Sequence, residues 1–86
     1  MISNREQPVA WAQLMYNLED ASEHLAKLIA EMNTAQDFSE EDFAIQLGHV
    51  MAHLNRAWYC RNHGSALTQE EWDAARAYPD DLDPVA

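Results

Sequence analysis

The sequence predicts an all-α fold: an antiparallel helical hairpin with a short third helix, which pairs with a second copy into a dimeric four-helix bundle. Two long segments repeat apolar residues at alternating steps of three and four, which places them on one face of a helix. Only two Gly and three Pro occur among the 86 residues, so few positions interrupt a helix. Hydrophobic residues make up 48% of the chain, which is enough for a packed core. We expect one helical domain over residues 1–86.

The first helix is predicted over about residues 8–33. Pro8 suits the first turn of a helix, where its missing N–H leaves no hydrogen bond unmade. Asn33 and Thr34 favour hydrogen bonds to their own backbone and so indicate the end. The apolar stripe between these ends runs through Trp11, Leu14, Leu18, Ala21, Leu25, Leu28 and Met32.

The second helix is predicted over about residues 40–63. Ser39 is a natural N-cap, and Asp42 follows it at the spacing of a capping box. Gly64 is typical of a helix end. The apolar stripe of this helix runs through Phe43, Leu47, Val50, Leu54 and Ala57.

A second capping box, formed by Thr68 and Glu71, starts a short helix over about residues 69–77. Pro79 ends it, and an acidic tail follows over residues 79–86. Two long helices joined by a short linker form an antiparallel hairpin. The chain carries more large apolar residues than one neighbouring helix can cover, so we expect a homodimer.

The charge of the chain narrows the classes of partner. Lys and Arg number 5 against 15 Asp and Glu, for a formal net charge of −10. Direct binding to nucleic acid or to an anionic membrane is therefore not expected, because both need cations on the protein. A basic protein partner fits this charge. The start of the chain has no apolar signal core, and the single Cys cannot form an internal disulfide, so we expect a cytoplasmic protein.

The segment HVMAHLNRAWYCRNH, residues 49–63, contains three of the four His and the only Cys. Around the second helix, the three His, the Cys and the first of the two Arg residues of this segment fall in one sector about 80° wide, opposite the apolar stripe. We interpret this sector as a polar side that faces water or a partner. The sector consists of His49, His53, Arg56, Cys60 and His63.

The alternative interpretation is a divalent metal site, for an ion such as zinc. His49 with His53, and less clearly Cys60 with His63, have the spacing of ligand pairs on a helix. His53 and Cys60 lie about 10 Å apart along the axis, so one ion cannot bind both. Zinc sites use three or four protein ligands, and the sequence does not place the missing ones. We therefore expect no cofactor, with a divalent metal as the alternative.

Catalytic signatures are incomplete, and we predict no catalytic residue. Val50 stands where the metalloprotease motif has its glutamate. Gln46 stands where a di-iron bundle has a carboxylate. A Cys60–His63 nucleophile pair would lie on one helix without an oxyanion pocket. These features favour a binding protein over an enzyme.

Five residues of the second helix are candidates for interactions. Arg61 extends the apolar stripe, so we expect an Asp of the tail to fold back onto it with Leu82 packed beneath. Asn55 could fix the register across an interface. Gly48 lies mid-helix, where close approach of another helix would explain it. The full set of interaction candidates is Gly48, Asn55, Trp58, Tyr59 and Arg61.

From these features the sequence predicts a small acidic protein–protein interaction module, such as an adaptor, inhibitor or antitoxin-like protein, that acts as a homodimer. One alternative is a metal-dependent enzyme or metal sensor that uses His49 and His53. The other is a purely structural subunit. Fold analogy does not choose among them, because helical bundles serve many functions.

Overall fold

A computed structural model describes residues 1–85, and Ala86 of the predicted tail lies outside them. The chain forms three helices: α1 over Pro8–Thr34, α2 over Glu40–Cys60 and α3 over Gln69–Ala74. No strand occurs within residues 1–85. The all-α prediction is therefore confirmed. The predicted α2 and α3 are each three residues too long at the C-terminal end.

Side-chain caps determine where α2 and α3 begin. The Ser39 hydroxyl accepts a hydrogen bond from the Asp42 backbone N–H at 2.9 Å, and the first turn of α2 carries three acidic residues that its dipole favours. At α3, Thr68 and Glu71 form the complete reciprocal box that the sequence predicts. These caps satisfy N–H groups that the helix itself leaves unpaired.

The end of α2 does not depend on Gly64. The helix ends at Cys60, and the His63 N–H then donates to the Cys60 carbonyl at 3.1 Å in a tight turn. Neither glycine has a positive φ. The prediction that α2 continues to a stop at Gly64 is therefore wrong, and the turn at Arg61 closes the helix instead.

The two long helices pack antiparallel. Asn17 near the start of α1 lies beside Cys60 at the end of α2. Glu31 near the end of α1 accepts a hydrogen bond from Gln46 near the start of α2. The strip buried between them contains small and polar residues as well as apolar ones: Ala10, Asn17, Ala21 and Leu28 from α1, and Val50, His53, Ala57 and Cys60 from α2.

The predicted apolar stripes are only partly buried. Leu18 follows the buried Asn17 by one residue, and Leu54 follows the buried His53, so each points about 100° away from the strip. Seven large apolar side chains remain 38–52% exposed and line one side of the hairpin across both helices. We call this set the apolar face: Leu18, Leu25, Ile29, Met32, Phe43, Met51 and Leu54.

The third helix and the tail fold back over α2. The Arg56 guanidinium lies 4.0 Å from the centre of the Trp72 ring, and its Nε–H donates to the Trp72 carbonyl at 3.3 Å. This cation–π and hydrogen-bonded contact attaches α3 to the hairpin. Among the helices of residues 1–85, none combines the length and the apolar character needed to cross a membrane.

Candidate functional site

Two histidines of α2 lie beside an Asp and a His of α1, and both pairs have a spacing of four residues. Asp20 and His24 are four residues apart on α1, and His49 and His53 are four apart on α2. We call these four residues the histidine cluster. The imidazole centre of His24 lies 4.2 Å from that of His49 and 5.6 Å from that of His53, and His49 lies 5.1 Å from His53. One ring nitrogen from each of the three histidines lies within 4.8 Å of the other two.

His53 is the buried member of the cluster, with 5% of its surface exposed. Its Nε2 lies 2.6 Å from Oδ2 of Asp20, and its Nδ1 lies 3.1 Å from Oδ1 of Asn17. The Asn17 amide donates to the Gln13 carbonyl at 3.0 Å, so Oδ1 is the acceptor that faces His53. Nδ1 of His53 therefore carries a proton.

Burial lowers the pKa of His53, while the Asp20 carboxylate raises it. Electrostatic interactions with His49, Arg56 and His24 add to the lowering. The imidazolium form is disfavoured by desolvation despite the short contact with Asp20.

The prediction of a solvated or partner-facing sector fails for three residues of α2. His53, Arg56 and Cys60 are all buried, because α1 packs on one side of the sector and α3 on the other. Asn17 and His53 form a buried polar pair where two apolar residues would otherwise meet. Only His49 of the sector is exposed, and His63 is half-buried.

Cys60 and His63 have separate sets of partners. The Cys60 thiol is buried beside the Asn17 amide, 4.0 Å from its Nδ2, and burial raises its pKa. His63 contacts the Ser65 carbonyl through Nδ1 at 2.7 Å and Glu71 Oε2 through Nε2 at 2.8 Å. Hydrogen bonds from Thr68 and His63 lower the pKa of Glu71 to about 2. These contacts hold α3 against the end of α2.

The tail folds back as predicted. The Trp58 indole N–H donates to Asp81 Oδ1 at 2.8 Å, and Nη2 of Arg61 lies 3.6 Å from Asp81 Oδ2. The Arg61 guanidinium lies 3.7 Å from the centre of the Trp58 ring. Leu82 is half-buried and lines a pocket together with Leu54 and Trp58. The prediction of an Asp on Arg61 is confirmed, whereas Leu82 is only partly covered.

A groove of about 570 Å³ lies between the end of α2 and the segment that follows α3. We call it the tail groove. Four of the five predicted interaction residues line it, and Tyr78 and two acidic residues of the tail complete it. Its α2 side consists of Asn55, Trp58, Tyr59 and Arg61, and its tail side includes Tyr78, Asp80 and Asp81.

Three of the predicted interaction residues, Gly48, Asn55 and Tyr59, differ in their environments. The Asn55 amide donates to the Arg76 carbonyl at 3.0 Å, and the Tyr59 hydroxyl donates to Glu71 at 3.3 Å. Both residues therefore contact the chain's own third helix and the segment after it. A Cβ added at Gly48 would meet nothing within 4 Å, so no neighbouring helix within the chain explains this glycine.

Asp20 and His24 were not identified from the sequence as members of the histidine cluster, nor was Asn17 identified as the hydrogen-bond partner of His53. The sequence does contain a signal for it, since Asp20 and His24 repeat the four-residue spacing of His49 and His53. Only the register between the two helices brings these pairs to one level. Comparison of the chain with protein-family models, with curated proteins and with solved structures gave no match.

Proposed function

We propose that this protein is a homodimeric interaction module: two hairpins pair through their apolar faces into a four-helix bundle, and each tail groove receives a basic segment of another protein. The observation that supports this most strongly is the exposed apolar face. Contiguous apolar surface of this kind on a small protein is typical of an interaction site.

The dimensions of the single chain support pairing. Its radius of gyration is 14.7 Å, whereas a compact domain of this length has about 12 Å. Its accessible surface is 6382 Å², whereas a globular monomer of this mass exposes about 5,200 Å². The excess of about 1,200 Å² exceeds the roughly 800 Å² that each partner buries in a standard interface. A second copy on the apolar face, with an interface of standard size, would bury about two thirds of this excess.

The acidic charge supports a basic partner for the tail groove. The chain carries a net charge of −10, and Asp80 and Asp81 line the groove beside three aromatic side chains. Aromatic residues provide large contact area, and the surrounding charge accelerates encounters with a basic chain. We also propose a cytoplasmic location for this function, because the single cysteine is a free thiol that suits a reducing compartment.

Two matched isoleucines test the dimer. Ile29 on the apolar face is 52% exposed, and Ile45 on the opposite side, beside His49, is 64% exposed. Ile29→Glu would bury two carboxylates in each dimer, one from each copy. At about 1.4 kcal/mol or more for each charge, it should weaken dimerisation at least 100-fold.

Ile45→Glu adds the same charge and serves as the control, with a dimer dissociation constant close to that of the wild type. The dissociation constants are measured by sedimentation equilibrium at two salt concentrations. Higher salt should strengthen the dimer, because two copies of like charge repel each other less when screened. Equal weakening by both variants would contradict pairing through the apolar face.

A Lys- and Arg-rich peptide with one aromatic anchor tests the tail groove. Tyr78 lines the groove and is 47% exposed, whereas Tyr16 is 60% exposed and lines a different pocket on α1. We expect Tyr78→Ala to weaken peptide binding about tenfold and Tyr16→Ala to leave it unchanged. Binding should weaken as salt rises. Peptide binding that neither variant changes would contradict this use of the groove.

A further inference from the structure

We propose that Asp20, His24, His49 and His53 form a binding site for one divalent transition-metal ion, of which zinc is the representative. This inference goes beyond the proposed function, and it does not depend on dimerisation. The cluster and the apolar face lie on different sides of the hairpin. His24 of the cluster and Leu25 of the apolar face are adjacent in sequence, so their side chains point about 100° apart around α1. A second copy on the apolar face leaves the cluster open.

The spacing of the donors is close to what a metal requires. Ligand atoms about 2.0 Å from a tetrahedral ion lie about 3.3 Å from one another. The three histidine nitrogens already lie within 4.8 Å, and Asp20 Oδ2 lies 2.6 Å from His53 Nε2 and 3.7 Å from His24 Nε2. His49 is exposed and His24 is half-buried, so neither ring is held by a closely packed core and both can rotate towards a bound ion.

The hydrogen bond from His53 to Asn17 orients the buried ligand. Nδ1 of His53 faces Asn17, so Nε2 is the ring nitrogen that faces the Asp20 carboxylate and the rest of the cluster. Metal-binding histidines commonly donate their second ring N–H to such an acceptor, which fixes the ring and its tautomer.

The donor set selects the class of metal. Three imidazole nitrogens and one carboxylate oxygen suit zinc, cobalt, nickel or copper, whereas magnesium and calcium prefer oxygen ligands alone. An ion can enter from solvent, because His24 and His49 line an open groove of about 170 Å³ together with Lys27, Glu31, Ile45 and Gln46. Bound metal would join α1 to α2 near their middle.

The test is a titration of the chelator-treated, full-length protein with zinc and, separately, with cobalt. We expect one ion per chain by calorimetry, visible absorption bands of four-coordinate cobalt and a higher melting temperature with metal. Magnesium should give none of these signals. His24→Gln and His49→Gln should each weaken zinc binding at least tenfold, since even residues that only orient ligands cost 10- to 100-fold when lost.

His63→Gln is the matched control, because His63 contacts Glu71 and Ser65 outside the cluster. It should bind zinc as the wild type does. His49 is exposed, so its replacement should not disturb the core. Circular dichroism of each variant is the check that it folds. If wild-type protein binds zinc no more tightly than His49→Gln does, or if His63→Gln loses binding equally, the proposal is overturned.

Discussion

The contact between the tail and α2 rests mainly on one carboxylate, so we predict that Asp81→Ala destabilises the protein. Asp81 accepts a hydrogen bond from the Trp58 indole at 2.8 Å and lies 3.6 Å from Nη2 of Arg61. Its side chain is 65% exposed, so solvent screens the ion pair to about 0.2–1 kcal/mol. The hydrogen bond adds about 1 kcal/mol.

Asp81→Ala should therefore lower the free energy of unfolding by about 1–2 kcal/mol. For a domain of this size, each kcal/mol lowers the melting temperature by about 4–8 °C. Asp81→Asn keeps one carboxamide oxygen as an acceptor for Trp58 and removes the charge, so its effect should be smaller. Thermal unfolding followed by circular dichroism measures both variants.

Asp83→Ala is the control for Asp81→Ala. Asp83 lies in the same tail, and its side chain makes no hydrogen bond or ion pair within residues 1–85. Both substitutions remove one negative charge, so the general relief of charge repulsion cancels in the comparison. A double-mutant cycle with Arg61→Ala should give a coupling energy of about 0.2–1 kcal/mol that decreases with salt. Equal melting temperatures for Asp81→Ala and Asp83→Ala would show that the Asp81 contacts do not stabilise the protein.

Two further predictions concern the outer side of α2. Gly48→Ala should raise the free energy of unfolding by about 1 kcal/mol, as measured by chemical denaturation, because the added Cβ meets nothing within 4 Å and Ala favours helix over Gly. If the substitution instead dissociated the dimer, Gly48 would lie at a close helix contact between the two copies. Attachment of α3 should be strongest between about pH 4.5 and 6.5, as measured by hydrogen exchange of Gln69–Ala74. The stability that ionised Glu71 contributes to this attachment is lost as the pH falls from about 4.5 towards the pKa of Glu71, which is about 2. Hydrogen bonds to Glu71 and Ser65 raise the pKa of His63 above its usual value. The stability that protonated His63 contributes is therefore lost as the pH rises through that raised pKa. His63→Gln should remove the alkaline loss and keep the acid loss, and a flat profile for the wild type would contradict this assignment.

Local signals in the sequence were sufficient to predict where the helices begin. Pro8, Ser39 and Thr68 each act within one turn of their own position, so no knowledge of tertiary structure was needed. The ends were less predictable. Gly64 carries a typical stop signal, but the chain turns three residues earlier at Arg61, whose side chain donates a hydrogen bond to the Trp58 carbonyl.

The functional residues were predictable only in part, for a related reason. The fold-back of Asp81 onto Arg61 followed from charge and chain length, because both lie at one end of the molecule. The histidine cluster depends on the register between α1 and α2, which places His24 opposite His49. Hydrophobic periodicity could not give this register, because the buried strip contains Asn17 and His53 while Leu18 and Leu54 stay exposed.

The solution mass of the wild-type protein shows whether two copies of the chain pair through the apolar face. Light scattering across a range of concentrations, before and after treatment with a chelator, measures that mass. We predict about 20 kDa, twice the 9.8 kDa of one chain, in both conditions, because the apolar face and the histidine cluster lie on different sides. A mass of one chain at every concentration would contradict this pairing, and a dimer that the chelator dissociates would move the interface to the histidines.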